Sequence, residues 1–167
     1  MKEKKVNKRR IIFGILSVAV MIAIFCFSAR DGEKSSKDSL EVGLLVGRTF
    51  VKDFKSLPEA KQIEYAQSID HPVRKTAHFL EYTALGFMLL GTFIGGGVIR
   101  LLPLFLAWLV GSVYAVTDEF HQMFSSGRCC QLTDMLLDSS GVLTGVFLSA
   151  LLFALLIFIR KRKALKI

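Results

Sequence analysis

The chain has 167 residues, 52% of them hydrophobic, and a mean hydropathy of +0.48. That is the length of one domain, and too apolar for a soluble one, whose long apolar runs would lack water-facing partners. The formal net charge of +8 does not mark a nucleic-acid binder, because the cations form no stripe along a face. Lys2, Lys4, Lys5, Lys8, Arg9 and Arg10 sit at one terminus, and Arg160, Lys161, Arg162, Lys163 and Lys166 at the other. Both groups flank apolar runs, where cations anchor a membrane protein on its cytoplasmic face. The cysteines Cys26, Cys129 and Cys130 form no CxxC pair suited to zinc or thiol redox work. A bridge between the adjacent Cys129 and Cys130 would be strained, so all three read as small apolar fillers.

The first apolar segment, Ile11 to Phe27, follows a basic start as a signal peptide would. It is long for one and lacks a small-x-small cleavage site, so it reads as a retained helix. Residues 28 to 76 are mixed in charge. Within them Leu40, Leu44, Gly47, Val51 and Phe54 recur at helical spacing, which predicts an amphipathic helix from Asp38 to Lys55 on the outer interface. Pro58 opens a second short helix, and His71-Pro72 breaks it. These helices either cap a bundle or shape an entrance to it.

Three further apolar segments follow, at about 77 to 94, 98 to 122 and 133 to 159. Each is near the ~20 residues that span a bilayer as a helix, the form that satisfies its own backbone in lipid. In the last of them Gly141, Gly145 and Ser149 are spaced by four, a signal for close helix packing. The expected fold is therefore an all-α membrane protein of one domain, residues 1 to 167. It has four transmembrane helices and an extracytoplasmic amphipathic helical insertion between the first two. Both termini and the GGG turn at 95 to 97 are expected in the cytoplasm; segments 28 to 76 and 118 to 132 face outward.

The polar residues concentrate at the outward ends. RKTAHFLEY (74 to 82) opens the second span and AVTDEFHQMF (115 to 124) closes the third. Antiparallel neighbours joined by a short turn bring His78, Glu81 and Tyr82 near Asp118, Glu119, His121 and Gln122. QLTDMLLDSSG then starts the fourth span, where Asp134 and Asp138 share a face at i, i+4 and Thr133 is positioned to cap. His78 with Glu81, and Asp118 with His121, are i, i+3 pairs, one way in which bundles hold metal ions. The same set suits acid–base work without a metal, so a divalent metal stays one alternative. Arg74, Lys75 and Arg128 suit a phosphate, with Arg128 the better bidentate partner. Against these readings stands a structural network of mutually paired charges, in which Glu119 is solvated and Tyr82 is an interfacial anchor.

RKTAHFLEYTALG, YAVTDEFHQMFSSGR and TDMLLDSSGVLTG, in this order, resemble the VanZ-like family of bacterial membrane proteins, and FSAR (27 to 30) is similar to that family's FSSQ-type stretch. The resemblance covers about residues 11 to 155. It implies that Arg74, Lys75, His78, Glu81, Tyr82, Asp118, Glu119, His121, Gln122, Arg128, Asp134 and, less firmly, Asp138 occupy characteristic positions. SSGR lacks the proline often found before the glycine, and CysCys follows the arginine, departures that bear on loop stiffness. The family's name member is associated with resistance to teicoplanin, a lipidated glycopeptide. The resemblance thus implies the bacterial cell membrane and an envelope process.

The leading expectation is an outward-facing site that acts on or binds an envelope component: a lipid-linked precursor or an anionic head group. In an enzyme, His78 or His121 would be the base, with Glu81 and Asp118 orienting it or acting as acid, in hydrolysis or group transfer. Arg74, Lys75, Tyr82, Glu119, Gln122, Arg128, Asp134 and Asp138 would bind substrate. The alternative is a non-catalytic protein that binds a lipid or lipoglycopeptide or scaffolds envelope enzymes. A transporter fits less well, since four spans leave little room for alternating access.

Overall fold

The computed structural model describes residues 7–30, 32–95, 99–124 and 131–164, and among these it holds six α-helices, one 3-10 turn and no strand. α1 (Lys8–Ser28) starts where the Asn7 side chain accepts from the Arg9 backbone N–H, an N-cap, and runs the whole of the first apolar segment. α2 (Gly32–Phe50) and α3 (Glu59–Ser68) are joined through a 3-10 turn at Phe54–Ser56. α4 (Asp70–Phe93), α5 (Leu101–Gln122) and α6 (Leu132–Ala164) follow.

Several boundaries differ from the expectation for local reasons. α2 begins six residues before Asp38 and stops at Phe50, because Asp53 turns the chain in the left-handed region at φ 57°, a conformation that Asp tolerates better than most residues. The apolar spacing carried on to Phe54, whose ring folds back under Gly47. The break before α4 falls at Ile69, not at His71-Pro72. Pro72 lies in the first turn of α4, where its missing N–H has no helical acceptor to lose. Thr133 lies inside the first turn of α6 and bonds to the Gln131 and Asp134 side chains, so it is not the cap. Of the GGG turn, Gly96 and Gly97 lie outside the described residues, as do Arg128, Cys129 and Cys130.

α4 is the interior helix and packs against α1, α5 and α6, while α2 and α3 pack on each other and on its first turns. The α4–α6 contact is backbone on backbone. A β-carbon added at Gly86 would stand 2.2 Å from the Val142 carbonyl oxygen, at Gly141 2.6 Å from that of Phe79, and at Gly145 1.9 Å from that of Thr83. The stripe read from the sequence thus meets a matching glycine on α4. At the far end the side chains of Arg9 and Arg10 donate to the carbonyls of Ile94 and Thr92 at 2.8 Å, and Arg9 lies over the Phe153 ring. These cations close the C-terminal end of α4, whose last carbonyls have no helical partner, each worth about 0.3–1 kcal/mol.

The distribution of polarity is inverted relative to a water-soluble bundle. Ile15, Ile22, Phe105, Val113, Phe147, Leu151 and Leu155 face outward, whereas Ser28, Asp118, Glu119, Gln122, Asp138 and Ser149 are buried. Apolar faces of this extent need lipid or protein to cover them. α1, α5 and α6 are long and apolar enough to cross a membrane. α4, expected as the second span, is less apolar than these three because RKTAHFLEY lies within it; its packing against three other helices gives those polar groups an interior to face.

Candidate functional site

Successive helical residues point about 100° apart, and this separates the two cations that open α4. Arg74 turns toward α2; its Nε lies 3.4 Å from Oδ2 of Asp70, one turn earlier on α4, and Asp70 in turn accepts from Ser39 of α2. Lys75 turns toward α6, where its Nζ lies 2.7 Å from Asp134 Oδ1. The two do not form one phosphate clamp.

The end of α5 places its polar residues on two faces. Asp118 accepts from Ser28 of α1 at 2.7 Å and from the Gln122 side chain at 3.2 Å, and it is near enough to Tyr82 of α4 for its charge to act on the phenol. Glu119 accepts from the backbone N–H of Gln131 at 2.7 Å, tying α5 to the start of α6. Asp118, Glu119 and Asp138 are each at most 3% exposed, and Tyr82 is wholly buried. Glu119 is therefore not solvated, and Tyr82 is no interfacial anchor. Asp138 sits in the combined field of Asp118, Glu119, Asp134 and Glu81, and its Oδ1 is buried with no hydrogen-bond partner among the described residues.

Two cavities meet at α4. An outer cleft of about 180 Å³ lies between the end of α1, α2 and the first turns of α4, with Phe27, Val42, Val73 and Ala77 as apolar wall and Arg30, Asp38, Arg74, His78 and Glu81 as polar wall. An inner cavity of about 20 Å³ is lined by Lys75, His78, Glu119, Gln122, Asp134 and Asp138, room for roughly one water among several polar partners. His78 lines both.

His121 is placed differently. Its ring stacks on Phe25 of α1, centroids 4.4 Å apart, and its buried Nε2 has no partner among the described residues. Thus His121 packs on α1, Glu81 lines the outer cleft, and His78 lines both cavities. Among the described residues no three His, Cys, Asp or Glu side chains are grouped to hold a metal ion.

The model of the VanZ/LLP1 family matches residues 13–156. The chain belongs to the VanZ/LLP1 family. The matched span runs from α1 almost to the end of α6 and includes every residue of both cavities. No curated protein and no solved structure matches the chain. In this VanZ/LLP1 protein the motifs resolve into an inner group on α4, α5 and α6 and an outer group on α1, α2 and α4. Sequence reasoning missed Ser28, Arg30, Asp38, Ser39 and Asp70. Ser28 and Arg30 lie in FSAR, and Asp70 stands i, i+4 before Arg74, so three of the five carried a signal. Asp38 and Ser39 carried none, since only the folding of α2 onto α4 brings them to the cleft.

Proposed function

We propose that this VanZ/LLP1 protein spans the bacterial cell membrane four times, through α1, α4, α5 and α6, with both termini in the cytoplasm and the α2–α3 hairpin outside. The basic termini support that orientation. A reporter fused after Ile167 is expected to behave as cytoplasmic and one inserted between α2 and α3, near Ser56, as external; the opposite pair of signals inverts the topology.

The site, on this reading, takes the head group of an envelope lipid or lipid-linked precursor in the outer cleft and presents its phosphate ester to a water in the inner cavity, in a process of the teicoplanin-resistance type. The observation that carries it is that, among the described residues, His78 alone lines both cavities, with carboxylates in each and a lysine in the inner one. The water oxygen bonds to phosphorus as its proton passes to His78. The ester P–O bond breaks, and the leaving oxygen takes the proton that Glu81, three residues on and in the same cleft, carries as the acid. Lys75 and Asp134 hold the inner wall.

Replacing His78 by alanine is expected to lower turnover by about 10²–10⁴-fold, abolish lipoglycopeptide resistance and change the envelope-lipid profile at normal membrane levels. His121→Ala leaves both in place, since His121 packs on Phe25. Full resistance with an unaltered lipid profile in His78→Ala removes the site from function. Loss of resistance without any lipid change favours a non-catalytic binder, a reading supported by the donors that already hold Asp118, Glu119 and Asp134.

A further inference from the structure

The end of the bundle opposite both cavities gathers cations without carboxylates. In residues 1–29, 84–117 and 139–167 of the sequence Glu3 is the sole acidic side chain, whereas the same stretches carry Lys8, Arg9, Arg10, Arg100 and the run from Arg160 to Lys163. The chain's other acids lie toward the far ends of these helices or between α1 and α4, and the 21 residues of α1 set about 30 Å between the two ends. Three of the cations meet. Arg9 and Arg10 each give one nitrogen to a carbonyl at the end of α4, which fixes both guanidinium groups at the start of α1. Arg160, near the end of α6, stands close enough for its charge to act on Arg9. Beside them α1 and α6 touch through side chains, Phe13 against Phe153 and Arg9 over the same Phe153 ring at 4.7 Å. Among the described residues no carboxylate pairs with Arg9, Arg10 or Arg160. Like charges held together with no acid between them raise the local concentration of anions.

We propose that Arg9, Arg10 and Arg160 hold the phosphate of an anionic phospholipid at the seam of α1 and α6. Guanidinium groups suit a phosphate because their planar fork meets two oxygens at once. The occupant is an amphiphile because exposed apolar side chains begin one turn inward on both helices. Ile12 follows Arg9 by three residues and Leu156 precedes Arg160 by four, and both are exposed; residues at those spacings share a helix face. Acyl chains run along these faces while the phosphate stands level with the arginines. A head group that adds an amine to its phosphate brings a further cation to a place with no carboxylate to receive it, so the anionic lipid is preferred over a zwitterionic one. The bound lipid ties the start of α1 to the end of α6 across the last turn of α4. Neither cavity at the other end of α4 takes part, so this site is independent of any chemistry at His78.

The test uses the full-length protein in detergent, with bound lipid counted by native mass spectrometry and by the shift in melting temperature. Dioleoylphosphatidylglycerol is expected to bind more tightly than dioleoylphosphatidylcholine and to raise the melting temperature further. Arg160→Gln weakens the phosphatidylglycerol by about fivefold, the value of one cation beside an anionic lipid surface, and leaves the phosphatidylcholine unchanged. Arg160 makes no hydrogen bond to α4 among the described residues, so its loss spares the contacts that Arg9 and Arg10 make there. Arg48→Gln, which removes an exposed cation from the last turn of α2, keeps full phosphatidylglycerol binding. Equal binding of the two lipids overturns the proposal. An equal loss in the Arg160→Gln and Arg48→Gln proteins overturns it as well, because the attraction is then a matter of net charge and not of a site. Soluble glycerophosphoglycerol that binds as tightly as the diacyl lipid overturns its amphiphile part, and a short DNA duplex that displaces the lipid at equal phosphate concentration shows that the cations serve a polyanion outside the membrane.

Discussion

Gly145→Ala is expected to lower the melting temperature of the detergent-solubilised protein by about 3–10 °C, and Gly145→Leu to remove the folded protein from the membrane. The added β-carbon would stand 1.9 Å from the Thr83 carbonyl oxygen and 2.7 Å from the Phe87 nitrogen. Both are backbone atoms of α4, which cannot swing aside as a side chain does, so the helices themselves must part. Gly86 lies against the Val142 backbone and Gly141 against that of Phe79, so the parting propagates along the seam. His78 and Tyr82 are carried on the same stretch of α4, and the inner cavity opens with it. Gly14→Ala is the control. Its β-carbon would meet Thr92 Cγ2 at 3.7 Å, an ordinary contact, and alanine gains up to about 1 kcal/mol of helix propensity. Thermal unfolding of the two variants side by side checks the argument: equal melting temperatures mean that α4 and α6 do not approach as closely as described.

The second large effect is electrostatic, and its sign differs between two residues of one cavity. Lys75→Ala is expected to destabilise the protein by about 1–3 kcal/mol, between the values of an exposed and a buried broken pair, because Lys75 and Asp134 are each about one-third exposed at 31%. Its removal leaves Asp134 beside Glu119 and Asp138 without its cation. Asp134→Asn in the same background recovers most of the loss, since the neutral amide needs no counter-charge. Asp138→Asn should move stability the other way. Its carboxyl group is 2% exposed, stands near four other acidic side chains, and has no donor for Oδ1 among the described residues. An asparagine of the same shape carries no charge to bury and can donate as well as accept. A gain in melting temperature accompanied by lost resistance would mark Asp138 as a residue kept for function at a cost in stability. A fall in melting temperature would show that the carboxylate is instead satisfied in the folded protein.

Much of this architecture was legible in the chain. The apolar runs and the basic termini announce helices of membrane length, because lipid demands a helix of that length and the interface favours cations beside it. The family motifs announced which polar residues to examine. The small-residue repeat at Gly141 and Gly145 announced a close packing face, although not which helix would meet it. Boundaries were less legible where local turn chemistry competed with periodicity, as at Asp53 and Ile69, and where a proline was tolerated by its place in a first turn.

By itself the sequence determined that polar groups would gather at one end of an apolar helical bundle, since spacing along a helix and alternation of helix direction follow from local geometry. Only the tertiary structure decided their grouping. Rotation by about 100° per residue sends Arg74 outward to Asp70 and Lys75 inward to Asp134, and the packing of α5 on α1 turns His121 onto Phe25 and away from His78. The return of α2 onto α4, a contact between residues more than thirty positions apart, built the outer cleft. Spacing in sequence states which residues share a face of one helix; which neighbour that face meets depends on how close each pair of backbones can come, and that is set by Gly86, Gly141 and Gly145.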